Sequence, residues 1–210
     1  MTTHILSALL QAIAARQPPP GVTLNPSDKY SGITLSGGNL VAAGTATGIV
    51  RANASLATGK AYFEATVNSG AGGNAIAVGV ANSSAPLTTA LAFDTSHDAI
   101  AWYDSVGGAY FNDSQLGSAP NFGNGNVLNF AVDFGAQMIW LRNWSTSTTV
   151  WNSSSGNVPG SSGGISFGAS SGPWFPAIGF RGTGQVTINF GASSFSGGVP
   201  SGFTAFNSLA

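Results

Sequence analysis

Leu128-Asn129-Phe130-Ala131-Val132-Asp133-Phe134 runs through Gly135-Ala136-Gln137 into Met138-Ile139-Trp140-Leu141-Arg142-Asn143. In the first run Leu128, Phe130, Val132 and Phe134 alternate with Asn129, Ala131 and Asp133. That period of two puts one face of a strand toward a core. Gly135-Ala136 supplies a turn, and Met138–Asn143 reads as the return strand of a hairpin.

The same pattern spreads outward in both directions. Lys60–Val67 places Phe63, Ala65 and Val67 on one face and Tyr62, Glu64 and Thr66 on the other. Ala75–Ala81 aligns Ile76, Val78 and Val80, and Gln185–Phe190 aligns Val186, Ile188 and Phe190. Trp174–Phe180 is almost continuously apolar, the mark of a central strand. Weaker strands are expected at Ile33–Leu35, Asn39–Val41, Gly48–Ala52, Ile100–Tyr103 and Ala109–Asn112. About ten short strands with turn signals between them predict an all-β antiparallel sandwich. Ser145–Gly164 and Ala192–Gly202 are Ser/Gly-rich and read as long loops, which in a compact domain are functional or mobile. Gly182-Thr183-Gly184 reads as a hairpin turn, not a phosphate loop, because no helix follows it.

Composition narrows the function. Only 6% of the 210 residues are charged, against a usual ~25%. Their place is taken by 30 Gly, 27 Ser, 17 Thr and 16 Asn. Hydrophobic residues still make up 43%, so the chain does not have the low hydrophobicity of disordered segments. Six Lys and Arg against seven Asp and Glu give a net charge of -1 and no basic patch, which argues against nucleic-acid binding. No apolar run approaches the ~18 residues of a membrane span. Without cysteine there is no disulfide, thiolate nucleophile or Cys-ligated zinc.

The first 20 residues differ from the rest. Ile5, Leu6, Leu9, Leu10 and Ile13 form one stripe at helical spacing, and Pro18-Pro19-Pro20 ends that helix and begins a stiff connector. A helix of this length is marginal alone in water, so the stripe needs a partner. Residues 1–20 are expected to dock or oligomerise, and residues 21–210 to form the sandwich. Packing on its own domain is the second reading of the helix. A signal peptide is a third, opposed by Arg16 and Gln17 where a small-residue cleavage site belongs.

Five short motifs, in order, resemble the SPRY (B30.2-like) family. They are Gly59-Lys60-Ala61-Tyr62-Phe63-Glu64, Val78-Gly79-Val80-Ala81, the hairpin Val132–Trp144, Trp174-Phe175-Pro176-Ala177, and Val186-Thr187-Ile188-Asn189-Phe190-Gly191. Gly202-Phe203 is similar to the family's ending. Ala61 stands where an aromatic is usual, and Trp144 where Gly commonly follows the Asn. The resemblance covers roughly Val22 to Phe206 and implies a concanavalin-like jelly roll with no catalytic activity. The style is also similar to SPRY-like modules on bacteriophage and phage-derived particles.

An active site is hard to build from these residues. Asp94, His97 and Asp98 could be drawn as a metal or acid/base cluster, but no second ligand group accompanies them, and a solvated loop is the simpler reading. Asp98, Asp104 and Asp113 leave a carboxylate pair for glycoside hydrolysis open. No catalytic residue, metal ligand or cofactor is assigned. Glu64 is expected to bond across strands, Asp133 to cap the Gly135 turn, and Asn143 and Asn189 to satisfy loop backbone groups.

A binding surface has more behind it. Trp102-Tyr103-Asp104, Tyr110-Phe111-Asn112, Arg142-Asn143-Trp144 and Trp151-Asn152 each set an aromatic beside Asn, Asp or Arg. Sugars use that pairing, a flat apolar face beside planar polar groups, and protein hot spots favour the same types. Candidate ligand residues are therefore Trp102, Tyr103, Asp104, Tyr110, Asn112, Arg142, Asn143, Trp144 and Trp151. Strand alternation sends at least half of such aromatics inward. Trp140 and Phe63 are core candidates, and Trp144 and Trp151, flanked by Ser and Thr, are surface candidates. The expected function is a non-enzymatic surface module of a phage or phage-like particle. Its helix would dock on other particle proteins or on sister copies in a homo-oligomer, and its sandwich would bind host-surface polysaccharide or serve as a structural unit. The alternative is a soluble module that recognises a peptide through its loops.

Overall fold

A computed structural model describes residues 21–93, 99–105, 107–168 and 172–210. The expected helix with Ile5, Leu6, Leu9, Leu10 and Ile13, the triproline, and Asp94, His97 and Asp98 lie outside the described residues.

Within them the chain forms β1 (Leu24–Lys29), β2 (Ile33–Ser36), β3 (Val41–Gly44), β4 (Gly48–Ala52), β5 (Lys60–Ser69), β6 (Ile76–Asn82), β7 (Ala99–Tyr103) and β8 (Gly108–Phe111). There follow β9 (Ser114–Ser118), β10 (Val127–Asp133), β11 (Met138–Asn143), β12 (Ile165–Ser166), β13 (Trp174–Phe180), β14 (Gly184–Asn189) and β15 (Thr204–Ala205), and a 3-10 turn at Phe206–Ser208. Two sheets result. The first has the order β1-β4-β13-β6-β7-β8-β9 and the second β12-β11-β10-β5-β14-β3-β2. All pairs are antiparallel except β15, which runs parallel to β5 at Ala61 and Tyr62, where β14 no longer pairs. The expected antiparallel sandwich is what forms.

The core lies between the sheets. Phe63 of β5 stacks on Phe130 of β10 with centroids 4.8 Å apart, and Trp102 of β7 meets Phe122 edge-on at 5.1 Å. Val78, Val80, Ile178, Phe180, Leu128, Val132, Ile139, Leu141, Val186 and Ile188 complete it. β13 is central, between β4 and β6, as its unbroken apolar run implies. Its pairing with β4 begins at Ala177, one residue past Pro176, which has no N–H to contribute to a ladder. Gly79 in β6 is required by a close approach, since a Cβ there would run into the Ile100 carbonyl of β7.

Both outer faces are also partly covered. Leu87, Leu91 and Ala92 pack over Ile49, Ala77, Ala101, Tyr103 and Ala177 on the first sheet. On the second, Trp151, Phe195 and Phe203 pack with Tyr62, Ala131 and Trp140. The two expected long loops are thus a second layer over the second sheet. Cover on both sides is why β6 and β7 are buried throughout and do not alternate.

Several expectations are corrected. β3 begins at Val41, because Asn39 sits in a turn with φ 64°. Gly182–Gly184 is not a hairpin turn: β13 and β14 belong to different sheets, so this turn is a corner between layers. β1, β9, β12 and β15 carry no apolar alternation and were not expected. β1 and β9 are the outer strands of the first sheet, where polar residues and Pro26 are tolerated.

Candidate functional site

On β11, Ile139 and Leu141 enter the core, so Trp140 and Arg142 point to the outer face of the second sheet. The register places Arg142 opposite Asn129, and Asn129 opposite Glu64. Three neighbouring strands therefore present one polar row. Arg142 Nε donates to Asn129 Oδ1 at 2.8 Å, and Asn129 Nδ2 donates to Glu64 Oε1 at 3.0 Å. The guanidinium lies between two indoles, 4.7 Å from the Trp144 ring and 4.3 Å from the Trp151 ring, and Nη1 donates to the Thr148 carbonyl at 2.8 Å.

Glu64 is held from the other side by a loop. Its Oε2 accepts the Ser196 amide at 2.9 Å and its Oε1 the Gly197 amide at 2.7 Å. Tyr62 Oη lies 2.7 Å from Glu64 Oε1 and 2.9 Å from the Gly197 carbonyl, so its single proton serves one of them at a time. Burial, then the bond to Glu64, pushes the Tyr62 phenol well above its ordinary range. Burial lowers the Arg142 guanidinium, while nearby Tyr62 and Glu64 act the other way. Each expected structural duty is present. Glu64 bonds across strands, and Asp133 Oδ1 accepts the Ala136 amide of the turn at 2.9 Å. Asn143 Nδ2 donates to the Asn121 carbonyl at 2.8 Å, and Asn189 Oδ1 accepts the Gly191 amide at 2.9 Å.

Beside this row lies an open cleft of about 260 Å³, formed by Asp133, Ala136, Met138 and Trp140 of the hairpin and by Gly160–Gly164 of the facing loop. Trp140 Nε1 donates to the Ser162 carbonyl at 2.7 Å, fixing that loop. At the rim, Lys60 Nζ is 3.5 Å from Asp133 Oδ2. The volume falls just below the ~300–1,000 Å³ of drug-sized pockets and suits one ring or one or two side chains.

The structure divides the expected ligand residues. Arg142, Trp144 and Trp151 come together on the second sheet, with Trp144 half-buried and Trp151 buried. Asn143 does not join them, because alternation turns it to the opposite face, where it is wholly buried. Trp102 and Tyr103 belong to β7 of the first sheet, Asp104 follows it in a turn, and all three are buried. Trp102 Nε1 donates to the Pro120 carbonyl at 2.9 Å, Tyr103 Oη to the Leu91 carbonyl at 2.5 Å, and Asp104 Oδ2 accepts the Gly72 amide. None offers a face to a ligand. Tyr110 is half-buried against Phe93, and Asn112, with φ 52°, forms the turn between β8 and β9. Trp151, expected at the surface, packs inward on Arg142. Among the described residues no group of three or more His, Cys, Asp or Glu is placed to hold a metal.

Read locally, Glu64 carries only a structural duty, and Tyr62, Asn129, Phe195 and Gly197 carry no signal of a site. Period-two alternation did place Tyr62, Glu64 and Asn129 on non-core faces, but nothing local says that those faces adjoin.

No protein-family model and no curated protein matches the chain. Solved structures do. The chain is similar to the SPRY domain of human HERC1, with 15% identity over 81% of this chain and 99% of that one and a TM-score of 0.60. It is similar to the TRIM65 PSpry domain, with 11% identity, 80% and 92% coverage and a TM-score of 0.56. The fold is SPRY-like. Stonustoxin shares it over 80% of this chain and 27% of its own, with 14% identity and a TM-score of 0.54.

Proposed function

We propose that this SPRY-like chain is a non-catalytic recognition module, and that the cleft between the β10–β11 hairpin and Gly160–Gly164 receives its ligand. The cleft carries the reading. It is an open, preformed concavity that joins an indole, a thioether, serine hydroxyls and a carboxylate, the mixture that ligand sites use. The charged groups around it support binding over chemistry, because they are engaged. Glu64 accepts from Asn129, Ser196 and Gly197, Asp133 holds its turn and Lys60, and Arg142 is stacked and bonded.

The finer reading is a surface module of a phage or phage-like particle. Residues 1–20 would anchor it to particle proteins or sister copies, and host-surface polysaccharide would be the ligand. Sparse charge and abundant Ser, Thr and Asn support it, and many copies would make weak sites effective through avidity. A second reading is a module that recognises a peptide. The likeness to the SPRY domains of HERC1 and TRIM65 favours it.

The test is a glycan array and a peptide library probed with the full-length chain and with Ser161→Trp, whose indole would fill the cleft. Glycan retention that disappears in the variant supports the finer reading. Peptide retention that disappears transfers the cleft to the second. Retention unchanged by the variant removes the cleft from the account, and release of reducing ends would sink the non-catalytic reading.

A further inference from the structure

We infer that the loop between Gly191 and Gly202 is a displaceable latch seated in a peptide-recognition pocket made by Tyr62, Glu64, Asn129, Arg142 and Trp144. The pocket takes a segment of a partner protein with an aromatic residue two positions before a glycine. The inference is independent of the cleft.

The loop shows what the pocket reads. Two consecutive amides, Ser196 and Gly197, donate to the Glu64 carboxylate at 2.9 and 2.7 Å. The Gly197 carbonyl lies 2.9 Å from Tyr62 Oη. The Phe195 ring meets the Tyr62 ring edge-on, with centroids 4.8 Å apart. At Gly197 a Cβ would lie 2.6 Å from both Arg142 Nη2 and Asn129 Oδ1 and 3.1 Å from the Trp144 ring, so any larger residue there must push those side chains aside and the pocket favours glycine. Because both amides donate to Glu64, proline is excluded from either position.

The attachment is of the kind that opens as a unit. Among the described residues, backbone atoms of 192–199 make no bond to strand backbone. They are held by Glu64 and Tyr62, and locally by Asn189, whose Nδ2 donates to the Ser193 and Ser194 carbonyls. Both ends are glycines with positive φ, 108° at Gly191 and 80° at Gly202. Such weakly anchored surface segments open before the sheet does.

A competitor displaces the latch only by making an interaction the latch lacks. The structure contains one. Arg142 is 6% exposed, and its Nη2, beside Gly197, is buried with no acceptor in good hydrogen-bond geometry, the guanidinium's remaining polar neighbour being the Tyr62 phenol. A partner segment that brings a carbonyl or carboxylate oxygen to Nη2 gains a charge-assisted bond on top of the two amide bonds the latch makes to Glu64.

The probe is the synthetic peptide Ala-Ser-Ser-Phe-Ser-Gly-Gly-Val, the sequence of residues 192–199, with a twin carrying Ala for its first glycine. Binding is followed by tryptophan fluorescence on the full-length chain and on Phe195→Ala/Gly197→Ala, which loosens the latch. The loosened variant is expected to bind the peptide about tenfold more tightly, since self-occupancy lowers apparent affinity by the open fraction. Adding Glu64→Gln should cost about tenfold, and the twin should bind about tenfold more weakly. Ser161→Trp should change nothing, which separates a failure of this pocket from a failure of the cleft. A folded loosened variant that binds no better than the native chain overturns the inference. Should that variant not fold, amide exchange on the native chain decides. Ser196 and Gly197 amides that exchange faster than those of β5 and β10 support the latch, and exchange only through global unfolding overturns it.

Discussion

The Arg142 guanidinium lies 4.3 Å from the ring of Trp151, and this contact ties the Ser/Thr-rich loop after β11 to the second sheet. The Trp144 ring closes the stack at 4.7 Å. Stacked guanidinium and indole attract more strongly when both are desolvated, and here the arginine is 6% exposed.

Arg142→Ala should therefore destabilise the fold by about 2–4 kcal/mol, because it leaves Asn129 Oδ1 unpaired and opens the stack. Arg142→Lys should lose about 1–2 kcal/mol, since an ammonium cannot both stack flat and reach Asn129 and Thr148. Urea titration followed by tryptophan fluorescence checks both. An Arg142→Lys variant as stable as the native chain would show that charge alone matters.

Stability should fall in alkali. Burial holds the Tyr62 and Tyr103 phenols above their ordinary value of 10.0. Above that pH the unfolded chain releases two protons that the folded chain keeps. The folded state then binds more protons, and each tyrosine lowers stability by about 1.4 kcal/mol per pH unit. Below pH ~10 neither contributes a slope. Denaturant midpoints of the native chain and of Tyr62→Phe/Tyr103→Phe between about pH 9 and pH 11 should diverge, with the variant flatter.

Trp102 fills the core, and its variants should report on stability alone. Its ring is wholly buried against Phe122 and Phe130. Trp102→Ala should cost about 3–5 kcal/mol, while the folded fraction keeps whatever ligand affinity the native chain has. A loss of affinity without a loss of stability would return Trp102 to the binding surface.

Arg51 holds the first sheet's outer loop as Arg142 holds the second's. Its Nε and Nη2 bind Asp28 at 2.7 and 2.8 Å, and its Nη1 binds the carbonyls of Asn82 and Ala85 at 3.0 and 2.7 Å. Arg51→Lys should cost about 1–2 kcal/mol, because one ammonium cannot replace that fork. Thermal unfolding, together with faster amide exchange at Ala85, is the check.

Much of the sheet structure was legible. Met138–Asn143, Trp174–Phe180 and Gly48–Ala52 begin and end where their apolar patterns do, since a residue's face in a strand follows from parity alone. β9, Ser-Gln-Leu-Gly-Ser, was not legible. It lies at a sheet edge with most of its side chains in solvent, so no apolar pattern marks it. The site was legible only in part. Arg142, Trp144 and Trp151 are close in sequence and meet in space. Trp102 and Tyr103 have the same local composition as Trp144, yet the loops and the opposing sheet bury them.

From the sequence alone came the all-β class, the central place of Trp174–Phe180, the outward face of Glu64 and Asn129, and the turn at Gly135-Ala136. Each depends on near neighbours, on parity along a strand or on the chemistry of a turn. Tertiary structure decided which strands adjoin, and so made Glu64, Asn129 and Arg142 one row. It also folded Gly197, 133 residues after Glu64, onto that row, and made Gly182–Gly184 a corner between sheets. Those outcomes follow from register and layer stacking, which arise only when distant segments compete to cover the same apolar faces.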